Sequence, residues 1–141
     1  MGYWILKSEP SSWSWQQQLA RGEKGTHWDG VRNHQAAIHL KAMKPGDRAL
    51  FYHSGEERAA VGIVEIIRSA YPDPSDPEKR FVMVDVKAIQ PLPKPVTLAS
   101  IKAEPKLKDI ALVRQGRLSV SPLDREEFAL ICRMGGFAKA G

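Results

Sequence analysis

The nine residues from Trp28 to Ala36 concentrate directional hydrogen-bonding groups of several chemical types. They include an indole, a carboxylate, a guanidinium, two carboxamides and an imidazole. A site for a planar polar ligand needs such a set, because an indole stacks on a ring, amides pair with ring edges and arginine binds anions. The alternative is a helix entry in which Asp29 or Asn33 is the N-cap and Arg32 is solvated. Capping explains one residue rather than the set, so we predict a ligand site here.

A second candidate site lies at the end of a strand that we predict over Arg48–Ser54. The last four residues, Phe51-Tyr52-His53-Ser54, place two aromatic rings before an imidazole and a hydroxyl. Ordinary strand packing is the alternative for the two aromatic residues, and we favour it for one of them. Because binding residues concentrate where strands pass into loops, we expect His53 and Ser54 to belong to a site.

The residue pattern offers little catalytic chemistry. No nucleophile-elbow glycine pattern surrounds Ser54, Ser119 or Ser121. Cys132 follows Phe128 by four positions on the apolar side of a predicted helix, so we interpret it as a buried thiol. The four histidines lack metal-ligand spacing, and the scattered glycines form no phosphate-binding loop. We therefore predict a protein without catalysis, cofactor or metal.

The composition is that of an ordinary soluble chain. Its 141 residues suffice for one domain with a real core, and 43% are hydrophobic and 26% charged. The single cysteine excludes an internal disulfide framework and fits a reducing compartment. The apolar run near the N-terminus is too short for a signal peptide or a membrane span. We expect a cytoplasmic protein, monomeric and without a membrane partner.

The net charge of +5 is compatible with phosphate binding. Basic residues are most frequent between Lys102 and Arg117. A solvated surface explains that segment as well as a nucleic-acid contact does, so both interpretations stay open.

Local patterns predict short strands and helices, arranged as a small barrel with helices packed outside it. We expect the prolines at positions 91, 93 and 95 to end the fourth predicted strand, Phe81–Ile89. The predicted strands are Tyr3–Ser8, Arg48–Ser54, Ala59–Arg68, Phe81–Ile89 and Ser119–Ser121.

Helix signals complete the α+β pattern. Serines precede a short helix, and the segment from Gly25 to Trp28 is predicted as a loop. Asp124 and Glu127 form a capping box for the last helix. We expect one domain over residues 1–135 and a short tail over 136–141. The predicted helical segments are Gln16–Ala20, Gln35–Met43, a turn capped by Thr97, Leu107–Arg114 and a final helix to Met134.

Six strings of this chain are long and chemically unusual: Tyr3–Pro10, Trp28–Ala36, Phe51–Ser54, Tyr71–Pro74, Met83–Val86 and Leu112–Val120. Together they resemble the EVE domain, a family that includes the thymocyte nuclear protein 1 group and small bacterial proteins. The resemblance extends from Tyr3 to about Cys132. It implies a PUA-like pseudo-barrel of five or six strands with surrounding helices, related to readers that hold a flipped modified base. It therefore implies a non-catalytic reader of DNA, most of all of 5-methyl- or 5-hydroxymethylcytosine.

Carried over by motif, the resemblance also implies a set of site residues. Trp28 or Tyr52 would stack on the base, and Asn33 and Ser54 would pair with its edge. Phosphates would be held by Lys7, Arg32, Arg114 or Arg117. We expect Trp28→Ala to abolish binding without unfolding the protein. The implied pocket residues are Lys7, Ser8, Glu9, Trp28, Arg32, Asn33, Tyr52, His53, Ser54, Ser119, Val120, Ser121 and Pro122.

Two alternatives remain at this point. One is an RNA-binding module for tRNA or rRNA, from the same fold neighbourhood. The other is a small nucleotide-modifying enzyme with His53 and Glu9 as acid and base. The expected partner is thus modified DNA or RNA.

Overall fold

The computed structural model describes residues 1–137, in which six strands form one mixed sheet. In space the strands follow the order β2-β5-β4-β3-β1-β6. The β1–β3 pair is parallel, and the other neighbouring pairs are antiparallel. The edge strands β2 and β6 are not paired with each other, so the sheet is not a closed barrel. The strands are β1 (Tyr3–Ser8), β2 (Thr26–Trp28), β3 (Arg48–His53), β4 (Ala59–Pro72), β5 (Val82–Thr97) and β6 (Val120–Leu123).

Five helices surround the sheet in the described residues, together with two 3-10 turns at Gly22–Lys24 and Pro105–Leu107. The capping box at Asp124 is confirmed, since its side chain accepts the Glu127 N–H and the Glu127 side chain accepts the Asp124 N–H. Ser14 caps the first helix in the same way. The helices are α1 (Trp15–Ala20), α2 (His34–Ala42), α3 (Leu98–Ala103), α4 (Ala111–Arg114) and α5 (Arg125–Met134). None of them is long and apolar enough to cross a membrane.

The α+β class with six strands and surrounding helices is confirmed, but two expectations about strands were wrong. The residues before Trp28 form β2 rather than a loop, because they pair with β5. The fourth predicted strand also continues past its prolines to Thr97. Part of the predicted tail, residues 138–141, lies outside the described residues.

A bulge explains why the prolines do not end β5. The register with β4 jumps from the pair Gly62–Pro91 to the pair Ala60–Val96. Residues 92–95 therefore have no direct partner in the ladder. Proline lacks the N–H that a ladder needs, so it is tolerated at a bulge of this kind.

The sheet is packed on both faces, because side chains alternate along each strand. In β1, Trp4 and Leu6 belong to one core cluster, which also contains Phe51. Ile5 belongs to a second cluster, which contains Phe128 and the other buried residues of α5. Both clusters fix the end of β1, where the candidate site begins.

Candidate functional site

A cavity of about 480 Å³ is lined by the end of β1, the segment that follows it, and β2. These two strands are separated by three others in the sheet, so the sheet must curve to bring them together. The volume lies in the usual range for a small-ligand pocket. The lining residues of this β1–β2 cavity are Lys7, Ser8, Glu9, Ser12, Trp13, Thr26, His27, Trp28 and Asp29. Two indoles, two carboxylates and one ammonium therefore meet in one cavity.

Trp28 forms part of the cavity wall and part of the core. Only 7% of its surface is exposed. Its ring lies edge-on against Phe51, with 5.3 Å between the ring centroids. The pairing of Trp28 with Val84 turns the indole toward the core face of the sheet. Trp28 is therefore a core residue as well as a cavity residue, which argues against the expectation that Trp28→Ala leaves the fold intact.

The segment after β1 is held rigidly by local hydrogen bonds. The carbonyl of Glu9 accepts the N–H groups of Ser12 and Trp13, each at 2.9 Å. The Ser8 hydroxyl donates to the Trp13 carbonyl at 2.5 Å. The Trp13 indole N–H donates to Gln18 Oε1 at 2.9 Å, which fixes the ring against α1. The cavity therefore has a second aromatic wall in a defined position.

Lys7 connects the cavity to the loop before β6. Its Nζ donates to the Gly116 carbonyl at 2.8 Å, and its backbone N–H donates to the Ser119 carbonyl at 2.9 Å. The ammonium lies 5.8 Å from the centre of the Tyr52 ring. Burial lowers the pKa of Lys7. Lys7 is thus a half-buried donor that faces the cavity and orders its neighbouring loop.

The residues at the end of β3 lie beside the cavity rather than in its lining. Tyr52 is 2% exposed and belongs to the core. His53 Nε2 accepts the Trp15 N–H at 3.0 Å, and its Nδ1 lies 2.8 Å from Glu57 Oε1. Both ring nitrogens of His53 therefore have protein partners, which does not favour the acid–base role. Ser54 follows, half-buried, outside the lining.

Arg32 and Asn33 also lie outside the lining. Asn33 Oδ1 accepts the Ala36 N–H at 2.9 Å, so Asn33 is the N-cap of α2, as the helix-entry alternative proposed. Arg32 donates to Asp73 Oδ2 at 3.1 Å and to the Ser75 hydroxyl at 2.8 Å. The guanidinium therefore joins the segment before α2 to the loop between β4 and β5.

Asp73 is the centre of that junction. Its side chain is fully buried and also accepts the Gly30 N–H at 2.9 Å. Burial raises the pKa of Asp73, but hydrogen bonds from Ser75, Gly30 and Arg32 outweigh this effect and lower it to about 2. Asp73 thus holds in place the turn that follows Trp28, and this turn forms one edge of the cavity.

The remaining predicted residues are spread around the cavity without lining it. Val120 and Ser121 are buried in β6, next to β1, and Ser119 and Pro122 flank them. The exposed Arg114 is paired with Asp109, and Arg117 is exposed in the loop that Lys7 contacts. The structure thus brings Lys7, Ser8, Glu9 and Trp28 together. Binding roles for all of the predicted residues stay predictions.

Sequence reasoning did not assign a polar cluster at the cavity rim, which we call the rim array: His27, Arg68, Tyr71 and Asp85. Tyr71 Oη donates to Asp85 Oδ1 at 2.5 Å, and His27 Nδ1 lies 3.0 Å from the same oxygen. The Arg68 guanidinium stacks 3.6 Å from the centre of the Tyr71 ring. Burial, followed by the Asp85 carboxylate, raises the pKa of Tyr71 to about 12. The pairing of β5 with both β2 and β4 assembles this array, and no local sequence signal predicts it.

Comparison with known proteins identifies the family. The family model described as the EVE domain matches residues 2–134. The chain belongs to the EVE domain family. Human thymocyte nuclear protein 1 is 34% identical over 92% of this chain and 72% of its own length. The resemblance inferred from the sequence motifs is thereby confirmed.

Solved EVE domain structures share the whole architecture. A protein from Rhodopseudomonas palustris is 57% identical, with a TM-score of 0.93 over 99% of this chain and 96% of its own. The human THYN1 protein, crystallised in complex with 5-methylcytosine-containing DNA, is 32% identical. Its TM-score is 0.89, over 97% of this chain and 99% of its own. The PUA-like EVE fold therefore extends over nearly all of this chain.

Proposed function

We propose that this EVE domain binds DNA that carries a modified cytosine and holds the modified base in the β1–β2 cavity. The observation that carries the proposal is the cavity of about 480 Å³ in which two indoles face carboxylates and an ammonium. The DNA complex of the human relative supports the choice of partner. No chemical step belongs to the proposal, since binding alone accounts for a reader.

The two indoles supply the stacking surface. Extruding a base from a duplex costs a few kcal/mol, and stacking on an aromatic side chain returns about 1–3 kcal/mol per base. Trp13 is fixed by its hydrogen bond to Gln18, and Trp28 by its packing on Phe51. A wall that is already rigid loses little conformational entropy when the base arrives.

The carboxylates favour cytosine among the pyrimidines. Glu9 and Asp29 are exposed acceptors in the lining. Cytosine offers its N4 amino group as a donor, whereas thymine presents a carbonyl oxygen at the same place. Lys7 supplies a donor for a carbonyl oxygen or ring nitrogen of the base. The same carboxylates repel phosphates, so the cavity interior suits a base rather than the DNA backbone.

Titration of matched duplexes by fluorescence anisotropy tests the proposal. The duplexes differ at a single cytosine, which is plain, 5-methylated or 5-hydroxymethylated. A methyl group that fills an apolar niche contributes about 0.8 kcal/mol, so we expect a preference of a few-fold for the methylated duplex. Equal affinity for the plain and both modified duplexes would contradict a modified-base reader. Tight binding to a structured RNA instead would favour the RNA-binding alternative.

A further inference from the structure

The rim array continues the β1–β2 cavity across the outer face of three strands. We propose that His27 and Arg68 form a phosphate-binding site for the DNA strand next to the base in the cavity, an inference that rests on the proposed function for its partner. His27 belongs to the cavity lining, and its side chain is 64% exposed. It lies opposite Asp85 in the sheet, and Asp85 in turn lies opposite Arg68. One continuous surface therefore leads from the cavity over β2, β5 and β4.

Hydrogen bonding fixes the orientation of the His27 ring. An ionised carboxylate only accepts, and Asp85 Oδ1 lies 3.0 Å from His27 Nδ1. The hydroxyl hydrogen of Tyr71 is directed to the same oxygen. Tyr71 Oη also lies 2.8 Å from Nδ1. With the Tyr71 hydrogen directed to Asp85, a hydrogen on Nδ1 is the one that satisfies both oxygens, and Nε2 is the ring nitrogen that remains for a ligand. Tyr71 and Asp85 act as positioning residues for this imidazole.

This orientation couples phosphate binding to proton uptake. In the neutral ring, Nε2 has no hydrogen and can only accept, so it has nothing to donate to a phosphate oxygen. In the imidazolium both nitrogens donate, so Nδ1 can donate to Asp85 while Nε2 donates to a phosphate oxygen. A phosphate at Nε2 therefore selects the protonated ring. The affinity for DNA must rise as the pH falls.

Arg68 gives the site a permanent positive charge. Its stacking on Tyr71 holds the guanidinium plane while leaving the residue exposed. Among residues 1–137 no carboxylate lies within ion-pair distance of Arg68, whereas Arg114 is paired with Asp109. Tyr71 and Asp85 contact His27, and Arg68 lies opposite Asp85. The other charged groups around His27 are Lys87, two residues from Asp85 on the same face of β5, and Lys7, Glu9 and Asp29, which share the cavity lining.

The test measures binding of an unmodified duplex at pH 6 and pH 8 over a range of salt concentrations. We expect the wild-type protein to bind more tightly at pH 6, by at most tenfold per pH unit for one proton. His27→Gln should remove this pH dependence. Arg68→Gln should weaken binding at both pH values and reduce the log–log salt slope by about 1.

Matched controls isolate the array. Arg133→Gln alters an exposed arginine outside the rim array, and this variant should bind as the wild type. Tyr71→Phe keeps the ring under Arg68 but removes the hydroxyl. It should therefore weaken the pH dependence and leave the salt slope unchanged. Circular dichroism of each variant verifies that the fold is intact.

Two results would overturn the proposal: wild-type pH dependence in His27→Gln, or wild-type affinity in Arg68→Gln. The proposal would also be overturned if these variants lost affinity only for structured RNA and not for duplex DNA. Failure of the proposed function is seen separately, as equal affinity of the wild-type protein for plain and modified duplexes. Because the affinity of the rim-array variants is measured on plain DNA, the result does not depend on whether the protein recognises a modified base.

Discussion

The β1–β2 cavity and a groove along α5 differ more in chemistry than in size. The groove has a volume of about 590 Å³, against about 480 Å³ for the cavity. The groove is lined by Lys106, Asp124, Glu126, Glu127, Ala129, Leu130 and Arg133. It contains no aromatic ring, and two of its carboxylates already cap α5. Volume alone therefore does not identify a ligand site, whereas fixed aromatic walls with polar groups left for a ligand do.

The two regions also differ in how they are built. The groove is formed by one helix and one turn, so its side chains depend on few tertiary contacts. The cavity is formed by two strands and two loops, and Trp28 joins it directly to the core. Substitution of Trp28 should consequently affect stability and binding together, whereas substitution of exposed residues in the groove should affect neither.

Trp28→Ala should give the largest effect. Removing a buried aromatic side chain typically costs about 3–5 kcal/mol, because a cavity remains in the core. Leu130→Ala in the α5 groove is the matched control, and it should cost clearly less because Leu130 is only partly buried. Urea unfolding of both variants measures the difference in the free energy of unfolding. Equal losses of unfolding free energy in the two variants would contradict the distinction between the cavity and the groove.

Asp73→Asn should have the next largest effect. It should lower the free energy of unfolding by about 1–3 kcal/mol, because it weakens the hydrogen bonds that a buried carboxylate accepts. The folded-state pKa of Asp73 is lowered to about 2, below the usual carboxyl value of about 3.9. Its stabilising contribution is therefore present above about pH 4 and is lost as the pH falls toward 2. Urea midpoints from pH 7 to pH 2 should show less acid dependence in the variant. An unchanged acid dependence would contradict this role.

Glu9→Gln and Asp29→Asn should weaken binding of modified DNA while leaving the fold intact. A carboxylate that accepts from the cytosine amino group contributes about 1–3 kcal/mol of discrimination. Both residues are exposed, so the free energy of unfolding should change by less than about 0.5 kcal/mol. Anisotropy titrations with the methylated duplex measure the loss. If neither variant changes the affinity, the carboxylates do not contact the base.

Glu126→Gln in the α5 groove should have the smallest effect. Glu126 is exposed and lies on the helix that carries the groove. Stability should change by at most about 0.5 kcal/mol, and DNA affinity should not change. Measured with the same duplex, this variant is the charge-matched control for Glu9→Gln. A loss of affinity would make the groove part of the DNA interface.

The sequence predicted the regular elements well and the irregular ones poorly. The alternating pattern in β1 and the capping box of α5 are local signals, and both elements form as expected. β2 is only three residues long and shows no periodicity, so nothing local distinguishes it from a loop. The bulge in β5 depends on its register with β4, which is a tertiary property.

The same limit applies to the site. The strings of the EVE domain motifs placed Lys7, Glu9 and Trp28 together, and the cavity contains all three. They did not show that Trp28 belongs to the core, because its sequence neighbours are polar. They also left out Trp13, which lies among the serines before the first predicted helix, and His27, which is placed by the pairing of β2 with β5. Side-chain roles that depend on distant partners need the folded chain.

The position of β1 has a consequence for the order of folding. This strand lies between β3 and β6 and pairs with the latter across more than a hundred residues of chain. The long β4–β5 pair, in contrast, is made from neighbouring segments. Contacts between distant residues form slowly, because closing a long loop costs entropy before the contact is gained. Amide exchange during refolding should therefore protect the β4–β5 ribbon first, and the N-terminal strand only after the chain has closed on itself.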